Sequence, residues 1–363
     1  MTIARADIFS YDLPLVRPLQ LRGQTLISRS GFLIRLVSDS EHIGWGEAAP
    51  LPGFSVESAE DVVAELKELK RLLPGSKLPP NLSDLTGQFH SWPSSHRWTN
   101  SVNCALEMAA LNLIANEQAI SLSRLLSEQP LETVYINGLI VDTEGVAEAT
   151  RVLKRDGYRA VKLKVGSNSI DVDIERTQDA FHELGNTTTL RLDANRAWSF
   201  EDAYRFAAGI TDCEIEYIEE PLADPKLLRK FSKRTGLAIA LDESIGDLTP
   251  DTLTESDHVG AVILKPTLLG GFERTAIWAR KAQKCGIKAV ISSCFESSIG
   301  IAALAQLTAT FNTLNTPVGL DTPSWLKHDL LLEPIDRAHG RMRIVQIAQV
   351  ASQVNEYILK EIS

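Results

Sequence analysis

Residues Ala160 to Gly166 read "AVKLKVG". Val161, Leu163 and Val165 alternate with Lys162 and Lys164. A period of two belongs to a strand, so the lysines share one face and the apolar residues the other. Lysines are usually solvated, and edge strands often carry them to block unwanted pairing. Whether this strand is an edge or an interior one therefore decides the fold, and its neighbours answer the question.

From about Thr133 onward similar short apolar runs recur: "TVYINGLI", "TLRLDAN", "IEYIEEP", "AIALDES", "GAVILKP", "KAVISSC" and a weaker "TPVGLD". With "AVKLKVG" they make eight, about 25–30 residues apart, separated by helical segments such as "GVAEATRVLKRDG" and "SFEDAYRFAAGI". Strands alternating with helices at this period predict a (β/α) barrel, which has no edge strand. An open doubly wound sheet would want a glycine-rich phosphate loop, and no G-x-G-x-x-G is present.

The first hundred residues differ. "ARADIFSYDLPL", "GFLIRLVSD" and "IGWGEAAPL" predict a three-stranded meander, followed by a charged helix from about Val56 to Leu73. Pro79 to Trp98 suggests no regular element. "SVNCALEMAALNLIANEQ" predicts a helix with Val102, Leu106, Ala109 and Leu113 on one face.

The barrel strands end in polar residues on one side: Lys162 and Lys164, then Asp193 and Asn195, Glu219 and Glu220, Asp242 and Glu243, Lys265, and Ser292 to Ser298. In a barrel these ends share the rim that carries active sites. Two adjacent ammoniums repel, which predicts a lowered pKa for at least one lysine and a general-base role. Asp193, Glu219 and Asp242, 26 and 23 residues apart, would repel one another unless a cation joined them. Hard oxygen ligands suit Mg²⁺, with Mn²⁺ as a substitute. Such a site suits removal of the proton α to a metal-bound carboxylate, and Lys bases beside Mg²⁺ are already known from enolase-superfamily sites. Lys265, facing the same space, would be a second acid/base or an electrostatic stabiliser.

Assembled in this order, "GWGEAAPLPGF", "KLKVG", "LRLDANRAWS", "YIEEPL", "LDES" and "ILKP" resemble the enolase superfamily, muconate-cycloisomerase subgroup, over nearly the whole chain. The resemblance implies an α/β fold: a modified TIM (β/α)7β barrel with an α+β capping domain. The cap would span residues 1–104, completed by 325–363, and the barrel 105–324. It implies Glu219, not Glu220, as the metal ligand of the "EEP" motif. "RLDANRAW", "ALDES" and "GLDT" carry a finer resemblance, to the o-succinylbenzoate synthase family of menaquinone biosynthesis. That implies loss of water from a cyclohexadiene carboxylate, with Lys164 as base, Lys162 assisting and Lys265 stabilising the intermediate. Asn195, Ser292 and Gly319 match positions near the substrate. The loop Arg17 to Ser30 would be a lid, with Arg22 and Arg29 attracting a dianionic substrate. N-acylamino acid racemases and dipeptide epimerases use the same lysines. The epimerases typically carry an Asp-x-Asp near the last strand, whereas this chain has Asp321-Thr322-Pro323.

The net charge of −10 repels phosphate backbones and anionic lipid, which argues against nucleic-acid or membrane partners; the small carboxylate substrate is implied by the rim and by the family resemblance. No apolar run approaches the roughly 18 residues of a membrane helix. The N-terminus lacks the features of a secretory signal, and the four scattered cysteines read as reduced thiols. A cytoplasmic enzyme is expected, with its oligomeric state open.

Overall fold

The computed structural model describes residues 1–21, 24–93, 97–311 and 315–362. The meander is present as β1 (Ile3–Leu21), β2 (Gln24–Ser38) and β3 (Ile43–Ala48), antiparallel in that order. Its strands are longer than the alternation suggests. Residues expected as a loop between Arg17 and Ser30 form the far arm of the β1–β2 hairpin, with Leu19 opposite Leu26. Pro18 cannot donate to a ladder. It falls within a register shift between Pro14 and Leu19. Arg22 lies outside the described residues.

Helix α1 (Ala59–Leu72) starts at a reciprocal cap. The Ser58 hydroxyl accepts from the Asp61 amide at 3.1 Å and the Asp61 carboxylate from the Ser58 amide at 2.9 Å. It buries Val62, Leu66 and Leu69 against the cap, each worth roughly 1.5–3 kcal/mol of apolar burial. Helix α2 (Asn100–Glu117) is buried on every side, not one. One face packs on β3 so closely that a Cβ on Gly46 would meet the Ala105 carbonyl at 1.9 Å. The opposite side carries Glu107, which accepts from the Glu273 amide at 2.8 Å. One unbroken helix thus crosses the expected 104/105 boundary and belongs to both layers.

Seven parallel strands follow in sequential order: β5 (Gly138–Ile140), β6 (Ala160–Lys164), β7 (Thr189–Asp193), β8 (Ile215–Glu219), β9 (Ile239–Leu241), β10 (Val259–Leu264) and β11 (Lys288–Ile291). The first predicted strand is split. Its leading half, β4 (Thr133–Tyr135), pairs instead with β12 (Arg341–Arg343). The weak eighth run supplies bridges only, Val318 to Ile136 and Gly319 to Ser292, yet these close the ring between β5 and β11. β13 (Lys360–Glu361) joins the free edge of β1, so the end of the chain completes the cap sheet while Arg341–Arg343 stays with the barrel.

Residues 79–93, with two short 3-10 turns, lie against the outside of the helix Phe272–Lys284. The Gly87 amide donates to Glu273 at 2.7 Å, and Arg280 donates to the Asp84 and Leu85 carbonyls at 2.8 Å. They do not reach the barrel mouth. Among the described residues no helix is long and apolar enough to cross a membrane, and all four cysteines are unpaired.

Candidate active site

The strand "AVKLKVG" is an interior one, paired with β5 on one side and β7 on the other, and Val161 and Leu163 are fully buried on its outer face. Lys162 and Lys164 point to the other face, into a cavity of about 550 Å³ at the C-terminal rim. Lys164 Nζ lies 2.6 Å from Asp193 Oδ2 and 2.5 Å from Asn195 Oδ1. Lys162 Nζ lies 3.0 Å from Asp193 and 3.1 Å from Glu219. Lys265 donates to Asp242, and its ammonium is 5.7 Å from the Phe54 ring. Three strands lie between β6 and β10 in the sheet order, so Lys265 enters the cavity from a different wall.

The electrostatics differ from the sequence expectation. Burial lowers the Lys162 pKa, but Asp193 and Glu219 outweigh it and hold it well above the usual lysine value. Lys265 is likewise raised, by Asp242 and Glu219 against burial. For Lys162 the carboxylates of Asp193 at 3.0 Å and Glu219 at 3.1 Å prevail. Burial pushes the Asp193 carboxyl up, yet Lys162 and Lys164 bring it far below its ordinary value. Glu219 goes the other way: burial and the Asp193 charge raise it, and Lys162 offsets them only in part.

Among the described residues no three acidic, His or Cys side chains form a ready metal cage, because Lys162 and Lys265 rest on the carboxylate oxygens. The donor set still fits a hard divalent cation. Asp193 and Glu219 are register partners on β7 and β8, Asp242 follows β9, and all three are buried. Burial and the neighbouring Asp193 and Asp242 raise the Glu219 carboxyl, a repulsion that a shared cation would relieve. Glu220 is committed elsewhere. It accepts from the Asp242 and Ser244 amides at 3.0 and 2.7 Å and from Arg196 at 3.0 Å, which leaves Glu219 as the glutamate of the cluster.

Asn195, Ser292 and Gly319 all line the cavity. A Cβ on Gly319 would meet Ser292 Oγ at 2.2 Å, so only glycine lets the two strand ends approach. Arg29 does not line it. Its guanidinium is buried among backbone carbonyls, where it cannot attract a substrate.

Other wall residues carry no signal in the strand-end pattern. Leu51 and Phe54 come from the cap loop after β3, and Arg17 to Leu21 from the hairpin arm. Arg17 donates to Asp142 at 2.6 Å and lies 4.5 Å over the Trp325 ring. Asp321 also borders the cavity, but it accepts from Tyr158 at 2.6 Å and from Arg337 at 2.5 Å. The serine-rich stretch after β11 proves to be a docking point for the cap. Glu47 of β3 accepts from the Ser297 and Gly300 amides at 2.8 Å each, from the Ser297 hydroxyl at 2.6 Å and from Tyr11.

A lysine-and-carboxylate rim at the mouth of a capped barrel defines a class, and comparisons with known proteins agree. Residues 144–348 match the family model "Enolase C-terminal domain-like" and residues 3–78 the model "MenC, N-terminal domain". The chain belongs to the enolase superfamily. It is 31% identical over 333 residues to o-succinylbenzoate synthase from Haemophilus influenzae, covering 90% of this chain and 92% of that one. It is 35% identical over 344 residues to Protein PHYLLO, chloroplastic, of Arabidopsis thaliana, covering 85% of this chain but spanning only 20% of that protein. Among solved structures, a dipeptide epimerase from Enterococcus faecalis, complexed with Mg and the dipeptide L-Leu-L-Tyr, has a TM-score of 0.82 at 21% identity. It covers 95% of this chain and 97% of that one.

Proposed function

We propose that the chain is an o-succinylbenzoate synthase, eliminating water from 2-succinyl-6-hydroxy-2,4-cyclohexadiene-1-carboxylate. The observation that carries the reading is that Lys162 and Lys164 on β6 and Lys265 at the end of β10 line one cavity, each ammonium against a rim carboxylate. Asp193, Glu219 and Asp242 would hold Mg²⁺, which Mn²⁺ would replace. When bound, the ion supplies positive charge that acidifies the carbon next to the substrate carboxylate.

Lys164, freed of its proton, takes the one on C1. The C–H electron pair becomes a ring double bond as hydroxide leaves C6, and Lys164 returns the proton to it as water. The ring becomes aromatic and Lys164 ends as it began. Lys162 holds positive charge beside the carboxylate end. Lys265 faces the ring from the Phe54 wall, where a cation suits a π-face. The apolar wall of Leu51, Phe54 and Phe295 excludes water from the departing group.

Elimination is favoured over dipeptide epimerisation by Asp321. Its carboxylate is engaged by Tyr158 and Arg337, and Pro323 occupies the second position of the epimerase pair. A substrate ammonium would find no uncommitted partner there. The protein mixed with the diene and Mg²⁺ should yield an aromatic absorbance that EDTA abolishes. Epimerised dipeptide without any aromatic product would sink the proposal.

A further inference from the structure

Only 2% of Arg29 is exposed. A guanidinium has five N–H donors, and here each meets a backbone carbonyl. Nε donates to Phe295 at 3.2 Å, Nη1 to Ser30 at 2.8 Å and Pro50 at 2.9 Å, and Nη2 to Ala49 at 2.5 Å and Cys294 at 3.2 Å. Two of these carbonyls belong to the cap loop after β3, and two to the barrel loop after β11. Both loops build the cavity wall, through Leu51 and Phe54 on one side and Ser293 and Phe295 on the other.

The cap loop is stiff in itself, since the Leu51 carbonyl accepts from the Phe54 amide at 3.0 Å and the Ser55 amide at 2.8 Å. Anchoring it at Ala49 and Pro50 therefore fixes Phe54. On the barrel side Phe295 has φ of 59°, a conformation that a bulky residue keeps only when its surroundings impose it. Its carbonyl is on Arg29, and its ring stands edge-on to Trp325 at 5.9 Å.

We propose that Arg29 is a positioning residue, clamping the cap loop to the loop after β11 and so setting the spacing between the apolar wall and Lys265. It touches no substrate. The inference rests on the function proposed above only for its kinetic probe. Lysine cannot substitute, because three donors radiating from one nitrogen cannot span both loops. Releasing the clamp loosens the wall and leaves the lysines and carboxylates on β6 to β10 in place, so binding should suffer more than chemistry.

The test is Arg29→Lys and Arg29→Ala in the full chain, read by kcat and KM for the diene and by amide hydrogen exchange. KM should rise roughly tenfold or more and kcat should fall less than about threefold, the pattern of binding lost equally from ground and transition state. Exchange should quicken in residues 49–55 and 293–297 and not in β6 to β8. A variant that merely lost folded protein would show lower kcat at unchanged KM, which overturns the proposal. So does an Arg29→Lys enzyme indistinguishable from the parent in KM and exchange. If neither variant folds, the unaltered protein decides: the two loops should open as one unit, and independent opening overturns the clamp. A parent inactive on the diene would refute the proposed function, while the exchange comparison would still judge Arg29.

Discussion

Lys164 and Asp193 are register partners on adjacent parallel strands, and the ammonium of one lies 2.6 Å from the carboxylate of the other. Asp193 also takes Lys162 at 3.0 Å, so a single buried carboxylate organises both amines and supplies one corner of the acidic cluster. Asp193→Asn should weaken binding of Mg²⁺ or Mn²⁺ by at least about a hundredfold, beyond the usual effect of a second-shell change. Calorimetry with Mn²⁺ checks this without any turnover. Undiminished affinity would remove Asp193 from the metal set.

Glu107 should make stability pH-dependent. Burial raises its carboxyl from the ordinary 4.5 to about 8, with the Glu273 charge adding to it and the backbone amides of Glu273 and Phe272 opposing. Between these values the folded protein keeps a proton that the unfolded chain has released. Its contribution therefore becomes steadily less favourable as pH rises from about 4.5 to 8 and is level outside that window. The change is on the order of 5 kcal/mol at about 1.36 kcal/mol per unit. Glu107→Gln should flatten this part of the profile in urea unfolding at pH 5, 6.5 and 8. An unchanged slope would contradict it.

Glu47 should matter for cap docking. Glu47→Ala strands the Ser297 and Gly300 amides and the Tyr11 hydroxyl in the interior. Each unsatisfied buried group costs about 1–3 kcal/mol, so a loss of about 3 kcal/mol and a Tm lower by roughly 4 °C are expected. A melt within 2 °C or so of the parent, by the same scaling, would show that the cap does not depend on this contact.

The rim was legible because strand alternation fixes which side chains face inward, and the repeat fixes which ends meet. Lys162, Lys164, Asp193, Asp242 and Lys265 follow from those two periods, whereas Glu219 was singled out from Glu220 by the family resemblance. The hairpin arm was not, because Pro18 breaks the strand pattern that a register shift accommodates. Arg29 was misjudged because its partners are backbone carbonyls, which have no residue letter. The direction for Lys162 was misjudged because it is a sum that includes Asp193, Glu219 and Asp242, distant in sequence and close only after the barrel closes. Val318 and Gly319 close that barrel with too few paired residues to leave a strand pattern.

The most direct test follows the absorbance of the aromatic product formed from the cyclohexadiene substrate with Mg²⁺, by the parent chain and by Lys164→Ala. Turnover by the parent and a loss of about 10²–10⁴-fold in the variant, the scale of a missing acid–base group, are expected with the far-UV spectrum unchanged. No product from the parent, or an undiminished rate in Lys164→Ala, would contradict this reading.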